Sequence, residues 1–175
     1  MIYFTSDTHF GDPRVLRIDR RPFSNMPDHD AALISNWNDR VLPDDEVWHL
    51  GDLAAKRAGY AEQLLSQLHG HKHLIIGNND AVETTSALGW SSVQHYAELT
   101  IEGHLLILCH YPFRTWNQMG KGAINLHGHS HGRLKPIPRQ FDVGVDPRNL
   151  RPATLSELLT KQHLGPHSQD TAHAG

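Results

Sequence analysis

Short apolar runs recur along the chain, and a polar residue or a glycine closes or follows each one. The runs cover residues 2–4, 46–50, 73–76 and 105–108. Runs of this length with little polar alternation are typical of strands that are buried on both faces. We therefore predict four buried strands whose carboxyl ends carry polar side chains.

Between the first three runs, apolar positions recur at helical spacing instead. Two sets share a helix face, namely Leu33, Ile34, Trp37 and Val41 after a capping Asp28, and Ala61, Leu64, Leu65 and Leu68 before Gly70. Strand and helix thus alternate in the first half of the chain. This alternation predicts parallel β-α-β units and an α/β fold.

After about residue 91 the pattern changes to one strand after another. The predicted strands cover residues 93–101, 104–109, 123–126 and 140–145, with a turn at Glu102-Gly103 between the first two. Thr154-Leu155-Ser156-Glu157 is a capping-box sequence that predicts the start of a last helix. The second half is therefore expected to be rich in β-structure.

Length and composition fit one domain. A chain of 175 residues can bury a hydrophobic core without disulfides or other cross-links to stabilise it. We place that domain at residues 1–161 and expect residues 162–175, rich in Gly, Pro, Ser and Gln, to form a disordered tail. Cys109 is the single cysteine, which rules out an internal disulfide, and the N-terminus lacks a basic, apolar leader. We expect a soluble protein of the reducing cytoplasm that does not interact with membranes.

Charge argues against nucleic acid as a stable partner. Sixteen Lys and Arg residues stand against nineteen Asp and Glu residues, a net charge of −3, and no basic cluster forms a stripe. Tight binding of a duplex depends on many Lys and Arg contacts to phosphate, which a balanced surface does not offer. Nucleic acid therefore remains possible as a substrate, while stable binding is not predicted.

Polar residues of one chemical kind follow the predicted strands. They are Asp7, His9, Asp52, Asn78, His110, His129 and His131. Functional loops of open α/β sheets lie beyond the carboxyl ends of the strands, so these side chains are expected to meet there. Asp7 and His9, like His129 and His131, are two residues apart, which in an extended chain puts both side chains on one side. The set predicts a metal site.

The order of these residues resembles one family. Asp7-x-His9, Gly51-Asp52, Gly77-Asn78-x-Asp80, His110 and Gly128-His129-x-His131 resemble the motifs of the calcineurin-like metallophosphoesterases, in particular their small single-domain prokaryotic branch. The resemblance extends over about residues 1 to 146 and implies a four-layer α/β/β/α sandwich. It also implies that Asp7, His9, Asp52 and His131 hold one metal ion, and that Asp52, Asn78, His110 and His129 hold a second, with Asp52 bridging the two.

The ligand types bear on which metal is bound. Two cations side by side can clamp the oxygens of a phosphoryl displacement and lower the pKa of a bound water to about 7, which supplies hydroxide at neutral pH. Oxygen and imidazole ligands without thiolate suit manganese, iron, zinc or nickel better than magnesium, which prefers oxygen alone. We expect two divalent ions and favour manganese.

Asn79 departs from the family pattern. Members of the family usually have a histidine between Asn78 and Asp80; it is taken to protonate the leaving oxygen or steady the phosphate, held by the following Asp80. An amide donates a hydrogen bond but does not titrate near neutrality. Three interpretations stay open: a slower or leaving-group-selective enzyme, replacement of the donor by His127, Arg114 or bound water, and loss of catalysis with the fold kept for binding.

The sequence thus predicts a metal-dependent phosphoesterase that cleaves phosphomonoesters or phosphodiesters through a metal-bridging hydroxide. Asp52, Asn79 and Asp80 are its candidate catalytic residues, Arg114 and His127 its candidate substrate contacts, and a small phosphate ester or nucleotide its expected substrate. Trp116 is the aromatic residue expected to stack on a substrate. A non-catalytic binding module and a nuclease are the alternatives; retention of all seven ligand positions favours the enzyme.

Overall fold

Two mixed β-sheets pack face to face, and helices cover the outer side of the first, which confirms the predicted α/β architecture. The computed structural model describes the backbone of residues 1–163 and the side chains of residues 1–160. Of the expected tail, residues 162 and 163 continue the last helix, whereas residues 164–175 lie outside the described residues.

The described strands, in chain order, are β1 Ile2–Thr5, β2 Glu46–His49, β3 His71–Ile75, β4 Trp90–Gln94, β5 Tyr96–Ile101, β6 His104–Cys109, β7 Ile124–His127, β8 Gln140–Asp142 and β9 Ala153–Thr154. The first sheet has the order β4-β3-β2-β1-β9, with β9 antiparallel to its neighbour. The second sheet has the order β5-β6-β7-β8, with β5 antiparallel to β6 and the rest parallel.

The described helices are α1 Arg14–Ile18, α2 Met26–Asn38, α3 Tyr60–Gln67, α4 Val82–Thr85 and α5 Leu155–His163. The cap predicted for α2 is wrong by three residues, because the side chain of Asn25 accepts the hydrogen bond from the backbone N–H of Asp28. Pro27 lies in the first turn, where its fixed φ suits a helix start, and Asp28 follows it there. The capping box of α5 is confirmed, since Glu157 accepts a 2.9 Å bond from the N–H of Thr154.

The chain crosses between the sheets at two places that the pattern did not reveal. The single strand predicted over residues 93–101 divides at His95 into β4 and β5, which belong to different sheets. The strand predicted over residues 140–145 ends at Asp142, and Gly144 then bridges to Ser6 of the first sheet. The second crossing is buried at Val143 and Val145, so the apolar pattern continues through it. The first crossing at His95 is exposed, and its apolar residues on either side do not mark the change of sheet.

The predicted turn at Glu102-Gly103 is confirmed as a two-residue hairpin loop, since Ile101 pairs with His104. Both loop residues have positive φ, 51° and 79°, as the type I′ turn requires.

Successive residues of a strand serve opposite sides of the first sheet. Phe4 and Trp48 enter the core between the sheets, whereas Tyr3 and Val47 pack with α2 and α3 on the outer side. On the far side of the second sheet, Ile107 is covered by Trp116 and the irregular segment 110–123, with one 3-10 turn at Met119–Lys121. Among the described helices none is long and apolar enough to cross a bilayer.

Candidate metal centre

The seven polar residues that follow the strands meet at one edge of the molecule. Residues 7 and 9 follow β1, residue 52 follows β2, and residue 78 follows β3, while residue 110 follows β6 and residues 129 and 131 follow β7. A cleft of about 230 Å³ opens there, lined by His9, Asp52, Asn78, His129 and His131. The two sheets therefore contribute to one site.

The local backbone differs from the extended form that the two-residue spacing suggested. Asp7, His9, Asp52, His129 and His131 all have positive φ, between 48° and 66°. Such left-handed residues other than glycine cost about 1–3 kcal/mol each and gather at functional sites. The extended-strand explanation of the spacing is therefore wrong, although the side chains do converge.

One group of possible ligands consists of Asp7, His9 and His131, whose donor atoms lie within 4.8 Å of one another. The rings of His9 and His131 stack with centroids 5.4 Å apart. Within the described part of the chain, the buried Nε2 of His9 has no hydrogen-bond partner. A buried polar atom without a partner costs about 1–3 kcal/mol, so a cation bonded to this nitrogen fits the site.

Asp52 lies between this group and a second one. Its Oδ2 is 3.6 Å from Nε2 of His9, and its Oδ1 is 3.7 Å from Nε2 of His110. Asp7, Asp52 and His110 also have donor atoms within 4.8 Å of one another. The two oxygens of Asp52 thus face different histidines, an arrangement that suits a carboxylate shared by two ions.

Asn78 completes the second group. Its Oδ1 lies 2.9 Å from Nε2 of His110 and 2.9 Å from Nδ1 of His129. Metal–ligand bonds of about 2.0–2.1 Å at angles between 90° and 109° place donor atoms roughly 2.8–3.4 Å apart. Both distances from Oδ1 of Asn78 fall in that range.

The hydrogen bonds of His110 indicate which of its nitrogens faces the centre. Nδ1 of His110 lies 2.7 Å from the carbonyl oxygen of Leu50 and must donate to it. Nε2 is then the nitrogen that faces Oδ1 of Asn78 and Oδ1 of Asp52. A histidine whose other nitrogen is bonded to a carbonyl is usual among metal ligands, so Nε2 of His110 is the candidate ligand atom.

The pKa values in the cleft reflect its burial. Burial raises the pKa of Asp7 to about 8, although the charge of His131 opposes the change. Burial also disfavours ionised Asp52, but the charge of His110 and hydrogen bonds from Asn79 outweigh it and lower the pKa of Asp52. A cation beside Asp7 would restore its charged form, since opposite charge favours ionisation.

A network that sequence reasoning missed holds the first group from behind. Nδ1 of His131 lies 2.8 Å from Oδ2 of Asp146, and Arg21 donates two 2.9 Å bonds to the same carboxylate. Arg21 also donates 2.6 Å bonds to the carbonyls of Asp7 and Thr8. Burial opposes the charge of Asp146, but the bonds from His131 and Arg21 hold its pKa well below the usual range.

Little in the sequence pattern indicated this network. Asp142 and Asp146 frame a late strand pattern in the sequence, but nothing there assigned either a role. Asp142 fixes the loop between His129 and His131: its Oδ2 accepts bonds from Ser130 Oγ at 2.6 Å and Gly132 N at 2.8 Å. Arg21 lies in a segment without a motif, and only the folded chain brings it beneath Asp7.

Asn79 and Asp80 differ from their expected arrangement. The backbone N–H and the side-chain amide of Asn79 donate to the two oxygens of Asp52, at 2.8 and 2.6 Å. Asp80 was expected to hold residue 79, but its carboxylate accepts backbone N–H groups of Asp52, Leu53 and Gly77, at 2.8, 2.9 and 2.8 Å. Asp80 therefore ties two loops of the centre together.

The expected substrate contacts lie away from the cleft. Arg114 is exposed on the segment after His110 and does not line it. His127 is buried, donates from Nδ1 to the carbonyl of Gly128, and lines a separate cavity. Trp116 is buried, with its indole N–H 2.9 Å from the carbonyl of Ala123, and so cannot stack on a substrate.

Other side chains occupy the rim instead. Arg14, at the start of α1, and Arg133, in the loop after β7, line the cleft and are more than half exposed. Arg14 is held by Asp12, and Arg133 by Asp19. Tyr111, 46% exposed, lies edge-on to the ring of His129 with centroids 4.8 Å apart.

Comparisons with known proteins cover most of the chain. A family profile described as the calcineurin-like phosphoesterase superfamily domain matches residues 1–139. An uncharacterized protein of Methanocaldococcus jannaschii is 31% identical over 169 residues, which span 91% of this chain and 89% of that protein. The gene 66 protein of Mycobacterium phage D29 is 32% identical over 179 residues, 83% of this chain and 87% of its own.

Among solved structures, a protein of unknown function from Aquifex aeolicus has the same fold. It superposes with a TM-score of 0.72 over 92% of this chain and 98% of its own, at 19% sequence identity. A likeness at this identity concerns the fold, and it extends over nearly the whole of both chains.

Proposed function

Because the chain belongs to the calcineurin-like phosphoesterase superfamily, we propose that it hydrolyses small phosphate esters with two divalent metal ions. The observation that carries the proposal is the convergence of donor atoms at the strand ends. Asp7, His9 and His131 form one group and Asp7, Asp52 and His110 another, each with donor atoms within 4.8 Å of one another. The buried Nε2 of His9 has no partner among the described residues, and a bound cation would provide one.

In this proposal the ligands divide into two shells. Asp7, His9, Asp52 and His131 hold one ion, and Asp52, Asn78, His110 and His129 hold the other. The position of Asp52 supports its bridging role, because its two oxygens face His9 and His110 separately. Oxygen and imidazole donors without thiolate favour manganese, with iron, zinc and nickel as competitors.

When bound, such ions polarise the phosphoryl group and activate water at neutral pH. The protein's own residues position this chemistry. Arg21 and Asp146 orient His131, while Asp80 ties the loop of Asn78 to that of Asp52. Arg14 and Arg133 line the cleft at its exposed rim, so we propose that they contact the anionic substrate. Arg114 does not line the cleft.

Asn79 sets the expected substrate preference. Its amide can donate a hydrogen bond to a phosphate oxygen or to Asp52, but it cannot deliver a proton. Protonation of the leaving group typically contributes 10²–10⁴-fold in rate, most where the leaving alkoxide is basic. We therefore expect esters with acidic leaving groups, such as aryl phosphodiesters, to be hydrolysed faster than alkyl ones.

The rim also favours a small ester over a nucleic acid. Each rim arginine is paired with a carboxylate, Arg14 with Asp12 and Arg133 with Asp19, so the cleft has no unpaired basic track. Proteins that follow a single strand use a positively charged groove with stacking aromatic residues. Tyr111 alone gives one aromatic face beside the cleft.

The test is hydrolysis of matched aryl and alkyl phosphodiesters by the full chain with added manganese. The proposal predicts turnover of the aryl diester, slower turnover of the alkyl diester, and loss of both in Asp52→Ala. Absence of any turnover in the metal-loaded wild type would overturn the enzymatic function and favour a binding module. Equal rates on the two diesters would show that another group delivers the proton.

A further inference from the structure

A second cavity lies on the opposite side of the loop 128–132 from the metal centre. It has a volume of about 220 Å³, and Ser130 and Gly132 of that loop line it. His129 and His131 of the same loop line the metal cleft instead. The two openings therefore share one loop but no lining residue, and the proposed phosphoesterase reaction does not use the second cavity.

Arg148 gives this cavity a fixed positive charge. It is partly buried in the wall, and its Nε donates a 2.9 Å hydrogen bond to the carbonyl of Asp142. Within the described part of the chain, its Nη1 and Nη2 make no hydrogen bond, since Nε is the only atom of the guanidinium that is engaged. A guanidinium anchored in this way presents two parallel donors, the geometry that a carboxylate or phosphate accepts.

Two carboxylates, Asp142 and Glu157, lie near this guanidinium, but neither forms an ion pair with it among the described residues, and Glu157 does not line this cavity. Asp142 also lines the cavity, but its oxygens accept bonds from Ser130 Oγ, Gly132 N and Gly144 N, at 2.6, 2.8 and 2.8 Å. Lys135 adds a second cation at the exposed side of the cavity. The ionised side chains of the lining therefore leave one excess positive charge.

His127 provides an acceptor in the same cavity. Its Nδ1 lies 2.8 Å from the carbonyl oxygen of Gly128 and must donate to it. In the neutral ring Nε2 then carries a lone pair and no proton. A ligand hydroxyl or N–H is the matching group.

Apart from Gln140, whose side-chain NH₂ donates to Phe113 O and Asn125 Oδ1, the remaining wall is apolar. Leu134, Pro136, Ile137, Phe141, Pro147 and Leu158 line it. Small-molecule sites typically combine such apolar walls with a few fixed polar groups. We propose that this cavity binds a small organic anion whose carboxylate or phosphate pairs with Arg148, whose hydroxyl or N–H donates to His127, and whose body is apolar or aromatic.

The test uses simple probes on the full chain loaded with zinc, which is diamagnetic. The anionic probes are 3-hydroxybenzoate and 3-hydroxyphenylphosphonate, which show whether the cavity prefers a carboxylate or a phosphate-like group. Benzoate lacks the hydroxyl, and 3-hydroxybenzyl alcohol lacks the charge. Dissociation constants come from calorimetric titration, and the site comes from amide shifts of Gly132 and Phe141.

We expect Arg148→Gln to weaken the anionic probe at least tenfold, about 1.4 kcal/mol. Arg151→Gln is the matched control, because Arg151 is exposed three residues further on and does not line the cavity. It should leave the dissociation constant within about twofold, well under 1 kcal/mol. Leu134→Trp, at a half-exposed position, should block binding by filling the cavity without disturbing the fold.

Three results would overturn the proposal. One is binding of the neutral alcohol as tight as that of 3-hydroxybenzoate, and another is equal loss in Arg148→Gln and Arg151→Gln. The third is a set of shifts confined to residues of the metal cleft, such as Asn78. Thermal melting of each variant shows whether it is folded. If Arg148→Gln does not fold, Leu134→Trp still tests the proposal.

Discussion

At the scale of single residues, hydrogen bonds on the far side of the candidate ligands hold them in place. His110 and His131 each engage Nδ1 with an oxygen, of Leu50 and Asp146 respectively, and turn Nε2 toward Asp52 and Asp7. When one ring nitrogen donates a hydrogen bond in this way, the tautomer and orientation of the imidazole are fixed. The same bond raises the basicity of the other nitrogen as a metal ligand. The carbonyl and the carboxylate are therefore as much part of the site as the imidazoles.

Replacing Asn79 tests the role of the missing proton donor. Asn79→His introduces a group that titrates near neutrality, so we expect hydrolysis of the alkyl diester to rise by roughly 10²-fold or more. The aryl diester should change little, because a phenolate leaves without much protonation. The measurement is the ratio of the two kcat/KM values in wild type and variant.

Asn79→Gln is the control for this substitution, since it keeps the amide and gains no titratable group. An Asn79→His variant that speeds both diesters equally, or neither, would contradict the assigned position of residue 79.

Arg21 is expected to matter for folding as well as for metal binding. In Arg21→Met the mostly buried carboxylate of Asp146 loses both bonds from the guanidinium and keeps only the one to His131, so we expect a loss of up to about 3–5 kcal/mol of unfolding free energy. Urea unfolding of the metal-free variant measures the loss. The control is Arg133→Met, whose exposed pair with Asp19 is worth about 1 kcal/mol or less. Equal losses in the two variants would show that Arg21 has no special structural role.

His49 makes stability depend on pH. It is buried against Thr8 and Trp37, and burial lowers its pKa from 6.5 to about 3. Below pH 6.5 the unfolded chain binds a proton at His49 that the folded chain does not. Stability from this residue is therefore complete above pH 6.5 and falls with pH, by up to about 1.4 kcal/mol per pH unit.

His49→Gln keeps a donor for Thr8 and does not titrate, so its unfolding free energy should fall less between about pH 6.5 and pH 4.5. Chemical unfolding across that range compares the two slopes. A variant slope as steep as that of wild type would assign the pH dependence to other groups.

The convergence of the seven candidate ligands was predictable from the sequence, because few residue types bind metal and all seven follow an apolar run. Their supports were not, since Arg21 and Asp146 are 125 positions apart. A buried ion pair of that separation has no local pattern. The same reason misplaced Arg114, His127 and Trp116, whose positions depend on how the segment 110–123 folds over the second sheet.

At the scale of elements, loops that follow the strands carry the site, and close contacts between them dictate glycine. A Cβ on Gly128 would lie 1.9 Å from Oγ of Ser6 and 2.5 Å from Oδ2 of Asp7. Ser6 is itself fixed by a 2.8 Å bond to the carbonyl of Leu50, so it cannot retreat freely. The loop after β7 is thus packed directly against the loop after β1.

Gly128→Ala should therefore displace Asp7 and weaken manganese binding at least tenfold, about 1.4 kcal/mol. Gly120→Ala is the matched control, because a Cβ at Gly120 has nothing within 4 Å. Calorimetric titration with manganese measures both variants. Unchanged affinity in Gly128→Ala would show that the two loops do not need to touch.

Element types followed from the sequence where the pattern was strong, as in the helical spacing of α3 and the apolar run of β1. The division of one predicted strand at His95 into β4 and β5 was missed, because the residue pattern of a strand does not report which sheet it joins.

At the scale of the whole molecule, the candidate centre forms because two sheets pack face to face and bring loops at the ends of their strands together. Asp7, His9, Asp52 and Asn78 come from loops of the first sheet, whereas His110, His129 and His131 come from loops of the second. The family resemblance anticipated this sandwich, and the family match supports it. Ligand positions spread over residues 7 to 131 are joined by the packing of Phe4, Trp48, Leu106 and Phe141 between the sheets.

The central claim is that this junction holds two metal ions. Native mass spectrometry of the full chain after saturation with manganese counts them directly. The account predicts two ions per chain in wild type, one in His131→Ala, one in Asn78→Ala and none in Asp52→Ala. A wild-type chain that retains one ion or none, or an Asp52→Ala chain that retains two, would contradict it.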